Sequence, residues 1–264
     1  MDTPQTPKTV VDIKTRLHAA DDVEFAVLER SLRADTRKGV RDAIEVARRR
    51  LAAQAAERDR LERMYSYQAQ VAGGKLAVGL DEVGRGPVAG PLTVGAVVLS
   101  ESSYIAGLND SKQVAAEKRG EIAAQIKKEA IAWAIEHIPA EEIDAAGMSA
   151  CLRIAFRRAL ASIEAQGVVV EVVLLDGNPL HLDKREINVV KGDACCASIA
   201  AASLIAKVER DRLMCQWAKC YPAYGFEKSK GYASAEHIEA IRVHGLTPLH
   251  RKTFCTAFTQ QSLF

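Results

Sequence analysis

Two acidic residues, Asp81 and Glu82, close a short apolar run from Leu76 to Leu80 and are followed by Gly84-Arg85-Gly86-Pro87 and then Gly90-Pro91. An apolar run of that length reads as a buried strand. Such a strand does not tolerate ionised carboxylates without a partner or a cation. A second apolar run, Val168 to Leu175, ends the same way in Asp176-Gly177-Asn178, and a third acidic position, Asp193, follows Lys191-Gly192 where a helix begins. If the two strands are parallel neighbours, their carboxyl ends bring Asp81 and Asp176 together, at the edge where open sheets bind ligands. Carboxylates that close shift one another's pKa unless a cation neutralises them. Oxygen donors without histidine or thiolate favour a hard ion, Mg²⁺ or Mn²⁺, over zinc.

Each acid also has an ordinary reading. Asp193 suits a helix N-cap, and Asp176-Gly177 suits a strand-ending turn. Asp81-Glu82 leans toward chemistry, because the glycine turn beside it has no other clear purpose. Gly84, Gly86 and Gly90 are spaced G-x-G-x-x-x-G between two strands. This is neither a dinucleotide fingerprint nor a Walker loop. Its bare backbone can still lie close to a sugar or phosphate. Tyr221-Pro222-Ala223-Tyr224-Gly225-Phe226, Lys228, Lys230-Gly231-Tyr232 and His250-Arg251 mix basic and aromatic residues. That mixture fits phosphate contact with stacking, and equally a solvated basic loop over core aromatics.

The elements that must position these residues follow from periodicity. Strands are expected at Leu76–Leu80, Leu92–Leu99, Ala132–Ile138, Val168–Leu175 and, more briefly, Ile187–Val190. The fourth, nearly all Val and Leu, reads as a central parallel strand covered on both faces. Helices are expected from a cap at Asp110 or Ser111 through Ala130, from Ala140 to Gln166 with an interruption near Gly147, from Ala194 to about Lys219, and from Ser234 to Val243. The order gives an α/β or α+β layered fold.

Residues 1–72 differ in texture from 73–264, with Gly73-Gly74 at the boundary. After a Pro/Thr-rich start, Asp22–Arg33 and Val40 to about Tyr67 read as helices. The second carries Arg48-Arg49-Arg50 and only a narrow apolar stripe. It reads as a solvated helical arm or as an extra grip on nucleic acid.

Composition bounds the rest. The chain has 264 residues, 48% hydrophobic, with a net charge of +2. That charge is too small to argue for nucleic acid by itself. The six cysteines form no C-x-x-C pair, so reduced thiols in a cytosolic protein are expected rather than a disulfide framework or a zinc site. No apolar run approaches a membrane span, and Met1–Lys14 lacks the build of a signal peptide.

The motifs in order resemble the type 2 ribonucleases H, the ribonuclease HII family. The resemblance rests on Asp81 to Pro91, Leu108 to Lys112, Leu175-Asp176-Gly177 and Lys191-Gly192-Asp193. It continues through Ser198 to Ser203, Ala206-Lys207-Val208, Arg210-Asp211, Lys230-Gly231-Tyr232 and Pro248-Leu249-His250-Arg251. It implies a ribonuclease H-like mixed sheet flanked by helices, with a helical C-terminal part and an N-terminal helical extension. The family's metal-binding acids map onto Asp81, Glu82, Asp176 and Asp193, holding Mg²⁺ or Mn²⁺. Gly84, Arg85, Gly86 and Tyr232 map onto the positions that sense a ribonucleotide's 2′-hydroxyl, and Ser111, Lys112 and Arg251 onto phosphate or structural positions. The implied activity is hydrolysis of RNA in RNA–DNA hybrids and cleavage 5′ to ribonucleotides in duplex DNA, by a monomer with no membrane partner. Two metal ions would activate water and stabilise the leaving oxygen. The rival readings are a non-catalytic hybrid-binding protein and a nuclease for uniform hybrids only. Cys195-Cys196 departs from the small or polar residues expected there, and Ser229 and Ser234 stand where His and Thr are common. No docking motif for a replication clamp is read in 254–264.

Overall fold

The computed structural model describes residues 9–100 and 102–259, apart from the side chain of Phe258. The expectations placed on residues 1–8 and 260–264 lie outside that range. The chain packs as two units that divide between Glu62 and Arg63, inside one helix.

The first unit contains α1 (Val10–Ala19), α2 (Asp22–Ser31) and the start of α3 (Lys38–Ala72). Sequence reading missed α1. Its start is set by Thr9, whose hydroxyl accepts the Asp12 amide, and Asp21 caps α2 in the same way. Ile13, Leu17, Phe25, Leu28, Leu32, Val40, Ala47 and Leu51 form a core of their own. Two of the three consecutive arginines serve this unit internally. Arg48 pairs with Glu29 and Glu45, and Arg50 donates to the Leu17 and Ala20 carbonyls.

The second unit is the mixed sheet flanked by helices that the sequence leads one to expect. Its strands are β1 (Ala77–Val83), β2 (Leu92–Val98), β3 (Ala132–Ile138), β4 (Val172–Asp176) and β5 (Glu186–Val189), in the order β3-β2-β1-β4-β5. β1 runs antiparallel to β2 and parallel to β4, with Leu80 opposite Leu175. β4, expected to be the central strand, is an interior strand next to the edge strand β5, parallel on both sides, and it begins only at Val172; the centre of the sheet is β1. The helices are α4 (Ala116–Glu129), α5 (Ala140–Ala146), α6 (Met148–Glu164), α7 (Gly192–Cys195), α8 (Ala197–Cys220), α9 (Phe226–Ser229), α10 (Ala235–His244) and α11 (Lys252–Thr259).

Alternation along the strands assigns the two faces. Val78, Leu80, Val94, Ala96, Val173 and Leu175 pack against Leu152, Ala155, Phe156, Ala159 and Ile163 of α6. The opposite face receives α8, which runs over β1 and β2. α8 lies unusually close. A Cβ at Gly79 would stand 2.2 Å from the Ser198 carbonyl carbon, and one at Gly95 would stand 2.3 Å from the Ala202 carbonyl oxygen. The small residues from Ser198 to Ser203 are the other half of that contact.

Three expectations change. The helix expected after Asp110 starts at Ala116, because Asp110 instead closes a tight turn, its carbonyl accepting the Gln113 and Val114 amides. The long helix expected from Ala194 is two pieces, broken at Cys196, whose backbone is extended. Asp193 is not the cap of either piece; it lies in the first turn of α7, after Lys191 in a left-handed conformation.

The close approach of α8 generates a prediction. Gly79→Ala and Gly95→Ala each force backbone apart from backbone, so each should destabilise the fold by at least about 2–3 kcal/mol, the upper range for overpacked cores. Urea denaturation checks this; a loss below 1 kcal/mol at both sites would contradict the contact.

Candidate functional site

The parallel register carries Asp81 and Asp176 to the carboxyl ends of adjacent strands, on the face that α8 covers. Asp81 is 7% exposed. Burial pushes its carboxyl well above the usual carboxylate range, and the charges of Glu82 and Asp176 add to that. Ser203 of α8 hydrogen-bonds to Asp81 and opposes the shift. Ser111 lies 3.1 Å from Ser203, hydroxyl to hydroxyl, and is itself buried. Ser111 therefore supports Asp81 through Ser203, and its place is structural.

Asp176 accepts the Gly192 amide on Oδ1 at 2.6 Å. That bond ties the end of β4 to the loop that presents Asp193. Gly192 leaves room there: a Cβ would stand 2.5 Å from the Ile199 Cδ1 methyl and 3.3 Å from Asp176 Oδ1. Burial raises the Asp193 carboxyl, with the charges of Asp176 and Asp110 behind it and Lys112 opposing. Lys112 Nζ lies 3.5 Å from Asp193 Oδ2 and 3.8 Å from Asp110 Oδ1. Burial alone would lower the Lys112 ammonium; the surrounding acids Asp110, Asp193 and Asp81 raise it. Glu82 is also raised by burial, opposed by Arg85, whose Nη1 is 3.1 Å from its Oε1.

These four acids suit a hard divalent ion in kind, since every donor is a carboxylate oxygen, and burial with neighbouring acidic charge raises the pKa of Asp81, Glu82 and Asp193. Among the described residues no three His, Cys, Asp or Glu side chains are yet gathered tightly enough to enclose one. Arg85 and Lys112 each stand beside one of the acids, Glu82 and Asp193 respectively.

The glycine turn forms the second wall. Gly86 has no Cβ, and one placed there would face the Tyr232 ring at 3.8 Å. Tyr232 is half exposed. The two loops are joined through backbone: the Val88 and Ala89 amides both donate to the Gly231 carbonyl, at 2.9 and 3.1 Å. Behind Tyr232 stands a buried histidine pair. The Thr247 amide donates to His250 Nδ1, so the His250 proton sits on Nε2 and faces His237 Nε2 at 3.1 Å. That leaves the His237 proton on Nδ1, 2.7 Å from the Tyr232 carbonyl. Burial lowers both histidines, His250 to about 4, which keeps this relay neutral.

Arg251, read from the sequence as substrate-binding, is fully buried and turns inward. It donates to the carbonyls of Gly84, Arg85 and Gly90. It shapes the glycine turn rather than facing substrate. His237 was not singled out from the sequence, and Asp110, Ser203, Arg210 and His250 were named there without the roles seen here. The Asn109-Asp110-Ser111-Lys112 block carried a signal for Asp110. The others depend on contacts between elements far apart in the chain.

The family model for Ribonuclease HII matches residues 78–257, and the model for its N-terminal domain matches residues 9–72. A Ribonuclease HII of Bacillus subtilis (strain 168) is 40% identical over 248 residues, spanning 93% of this chain and 96% of its own. The crystal structure of ribonuclease H2 from Pyrococcus horikoshii OT3 superposes with a TM-score of 0.59 at 26% identity, covering 70% of this chain and 99% of that one. Bst-RNase HIII, solved in complex with Mn²⁺, shares the fold with a TM-score of 0.58 at 21% identity, covering 74% of each chain. Among the described residues no helix is long and apolar enough to cross a membrane. With matched families covering nearly the whole described range and the expected mixed sheet flanked by helices, the chain belongs to the ribonuclease HII family and is a ribonuclease H-type hydrolase.

Proposed function

We propose that this chain is a divalent-metal-dependent endonuclease that cuts the RNA strand of RNA–DNA hybrids and cuts 5′ to single ribonucleotides in duplex DNA, leaving 3′-hydroxyl and 5′-phosphate ends. The observation that carries the reading is the placement of Asp81 and Asp176 at the carboxyl ends of adjacent parallel strands, with Glu82 and Asp193 near enough to act on them through charge and Gly86 facing the Tyr232 ring.

Asp81, Glu82, Asp176 and Asp193 hold Mg²⁺ or Mn²⁺, which when bound supplies a deprotonated water and stabilises the leaving oxygen. The protein's own groups do the remainder. Ser203 keeps Asp81 oriented, and the Gly192 amide does the same for Asp176. Arg85 and Lys112 are well exposed beside the acids, and their charges would meet a phosphate of the scissile strand there. The 2′-hydroxyl is the group that separates RNA from DNA at a given sugar. Backbone at Gly86 can reach it because no Cβ intervenes, and the Tyr232 ring closes the other side of the sugar.

The direct test is cleavage of a DNA duplex with one internal ribonucleotide. A cut 5′ to the ribonucleotide with Mg²⁺ or Mn²⁺, and none with chelator, is expected; binding without a cut in either metal would contradict it. Asp81→Asn and Asp176→Asn should each lower hydrolysis by at least about 100-fold, the upper end for losing an outer partner of a metal site.

Stability should respond with the opposite sign. A carboxyl whose folded pKa lies above its unfolded value binds more protons when folded, so metal-free stability falls as pH rises between the two. The Asp81→Asn protein in chelator should therefore melt higher than the parent at neutral pH, by roughly 2–4 °C per kcal/mol of relieved repulsion. An equal or lower melting point would mean that Asp81 is not held against its charge.

Substrate choice gives a third expectation. Tyr232→Ala and Gly86→Ala should leave the fold intact and lower kcat/KM on a single embedded ribonucleotide by about 10-fold or more, within the range for a misplaced reacting group. Equal losses on uniform hybrid and single-ribonucleotide duplexes would remove both residues from ribose reading.

A further inference from the structure

A guanidinium buried without a carboxylate is costly, because its charge leaves water with no counter-charge. Arg210 of α8 comes close to this: among the described residues no carboxylate is hydrogen-bonded to it, and Asp211 reaches it only through charge. It is fully buried, and burial pulls its pKa down. Its hydrogen bonds go to backbone carbonyls: Nε to Pro91 at 3.0 Å, Nη2 to Ala89 at 3.1 Å, and Nη1 to Lys230 at 2.9 Å. Two of those carbonyls belong to the glycine turn and one to the Tyr232 loop.

The local backbone is shaped around this one side chain. Gly84 has a φ of +92°, and a Cβ there would stand 2.4 Å from Arg210 Nε. Lys230 adopts a left-handed φ of 50°, next to Gly231 at 84°. A non-glycine residue holds that conformation only where its surroundings over-determine it. Arg210 on the Lys230 carbonyl, and the Val88 and Ala89 amides on the Gly231 carbonyl, do so here. A Cβ at Gly231 would stand 2.2 Å from the Ala89 carbonyl oxygen, so the two loops touch backbone to backbone. Arg251 fastens the glycine turn alone; Arg210 spans both loops.

We propose that Arg210 is a positioning residue that locks the Gly84–Pro91 turn and the Lys230–Tyr232 loop into one ribose-reading unit, and thereby sets the preference for a lone ribonucleotide over a uniform hybrid. The inference rests on the substrate reading above. A lysine cannot replace it, since a point charge with three donors does not reproduce a planar fork that meets three fixed carbonyls. A uniform hybrid offers a ribose at every position of the strand, so it tolerates a loosened slot. A single ribonucleotide offers one.

The test is a double-mutant cycle on the full chain with Mg²⁺, reading the ratio of kcat/KM on a single-ribonucleotide duplex to that on a uniform hybrid. Arg210→Lys is expected to lower the ratio by about 10-fold, the scale of a misplaced contact. Tyr232→Ala lowers it too, and the double variant lies no lower than Tyr232→Ala alone, because residues acting as one unit are not additive. Equal loss on both substrates, or a ratio that falls multiplicatively in the double variant, would overturn the proposal while leaving the Tyr232 role standing. A parent protein that cuts uniform hybrid but not the single ribonucleotide would overturn the substrate reading and this inference together. Should Arg210→Lys fail to fold by thermal melting, Gly231→Ala breaks the same junction from the other loop. It must then lower the ratio, and an unchanged ratio overturns the proposal.

Discussion

Like charges forced together at the end of a buried sheet are the constraint on which the rest of the structure depends. Asp81 and Asp176 close adjacent parallel strands, and Glu82 and Asp193 stand within reach of their fields. No arrangement of apolar core relieves that repulsion. The fold tolerates it because the acids sit on a layered unit whose two faces are otherwise filled, by α6 on one side and α8 on the other. The same close approach that seals the α8 face, over Gly79 and Gly95, delivers Ser203 to Asp81 and Arg210 to the glycine turn. One helix therefore supplies packing, orientation of the acids and orientation of the backbone.

A second constraint concerns recognition. Backbone that is to read a sugar must be held still, yet a glycine turn is the most flexible kind of chain. Here the flexibility is removed from outside. Arg251 takes the carbonyls of Gly84, Arg85 and Gly90, Arg210 takes those of Ala89 and Pro91, and segment 249–251 pairs with 88–90. The neutral relay from Thr247 through His250 and His237 to the Tyr232 carbonyl fixes the facing loop in the same manner. In both cases side chains are spent on carbonyl groups, and substrate is left to the exposed backbone and ring.

The acids, the glycine turn and the positions of the strands along the chain were legible in the sequence because each is a local pattern: an apolar run that ends in a carboxylate, or glycines at fixed spacing. The start of α4 and the break at Cys196 were not. Asp110 turned out to close a turn, and the break is supported by Gln68, whose side-chain oxygen accepts the Ser198 amide from 130 residues away. α1 was missed because its short stripe of Val10, Ile13 and Leu17 has meaning only against α2 and α3. The sequence left Arg251 open between a phosphate and a structural position, because an arginine beside a histidine near the C-terminus gives no sign of facing inward. Burial of a charge is a tertiary fact, and spacing does not announce it.

The central claim is that Asp81 is held against its own charge until a divalent cation arrives. Carbon-detected NMR of the labelled Asp81 carboxyl, titrated in chelator and again in Mg²⁺, tests it most directly. The expected result is a titration well above the usual carboxylate range in chelator, shared with its neighbouring acids, and a marked downward shift once Mg²⁺ is present. A carboxyl that titrates in the ordinary range and ignores Mg²⁺ would contradict the account, because the four acids would then be neither strained nor waiting for a metal.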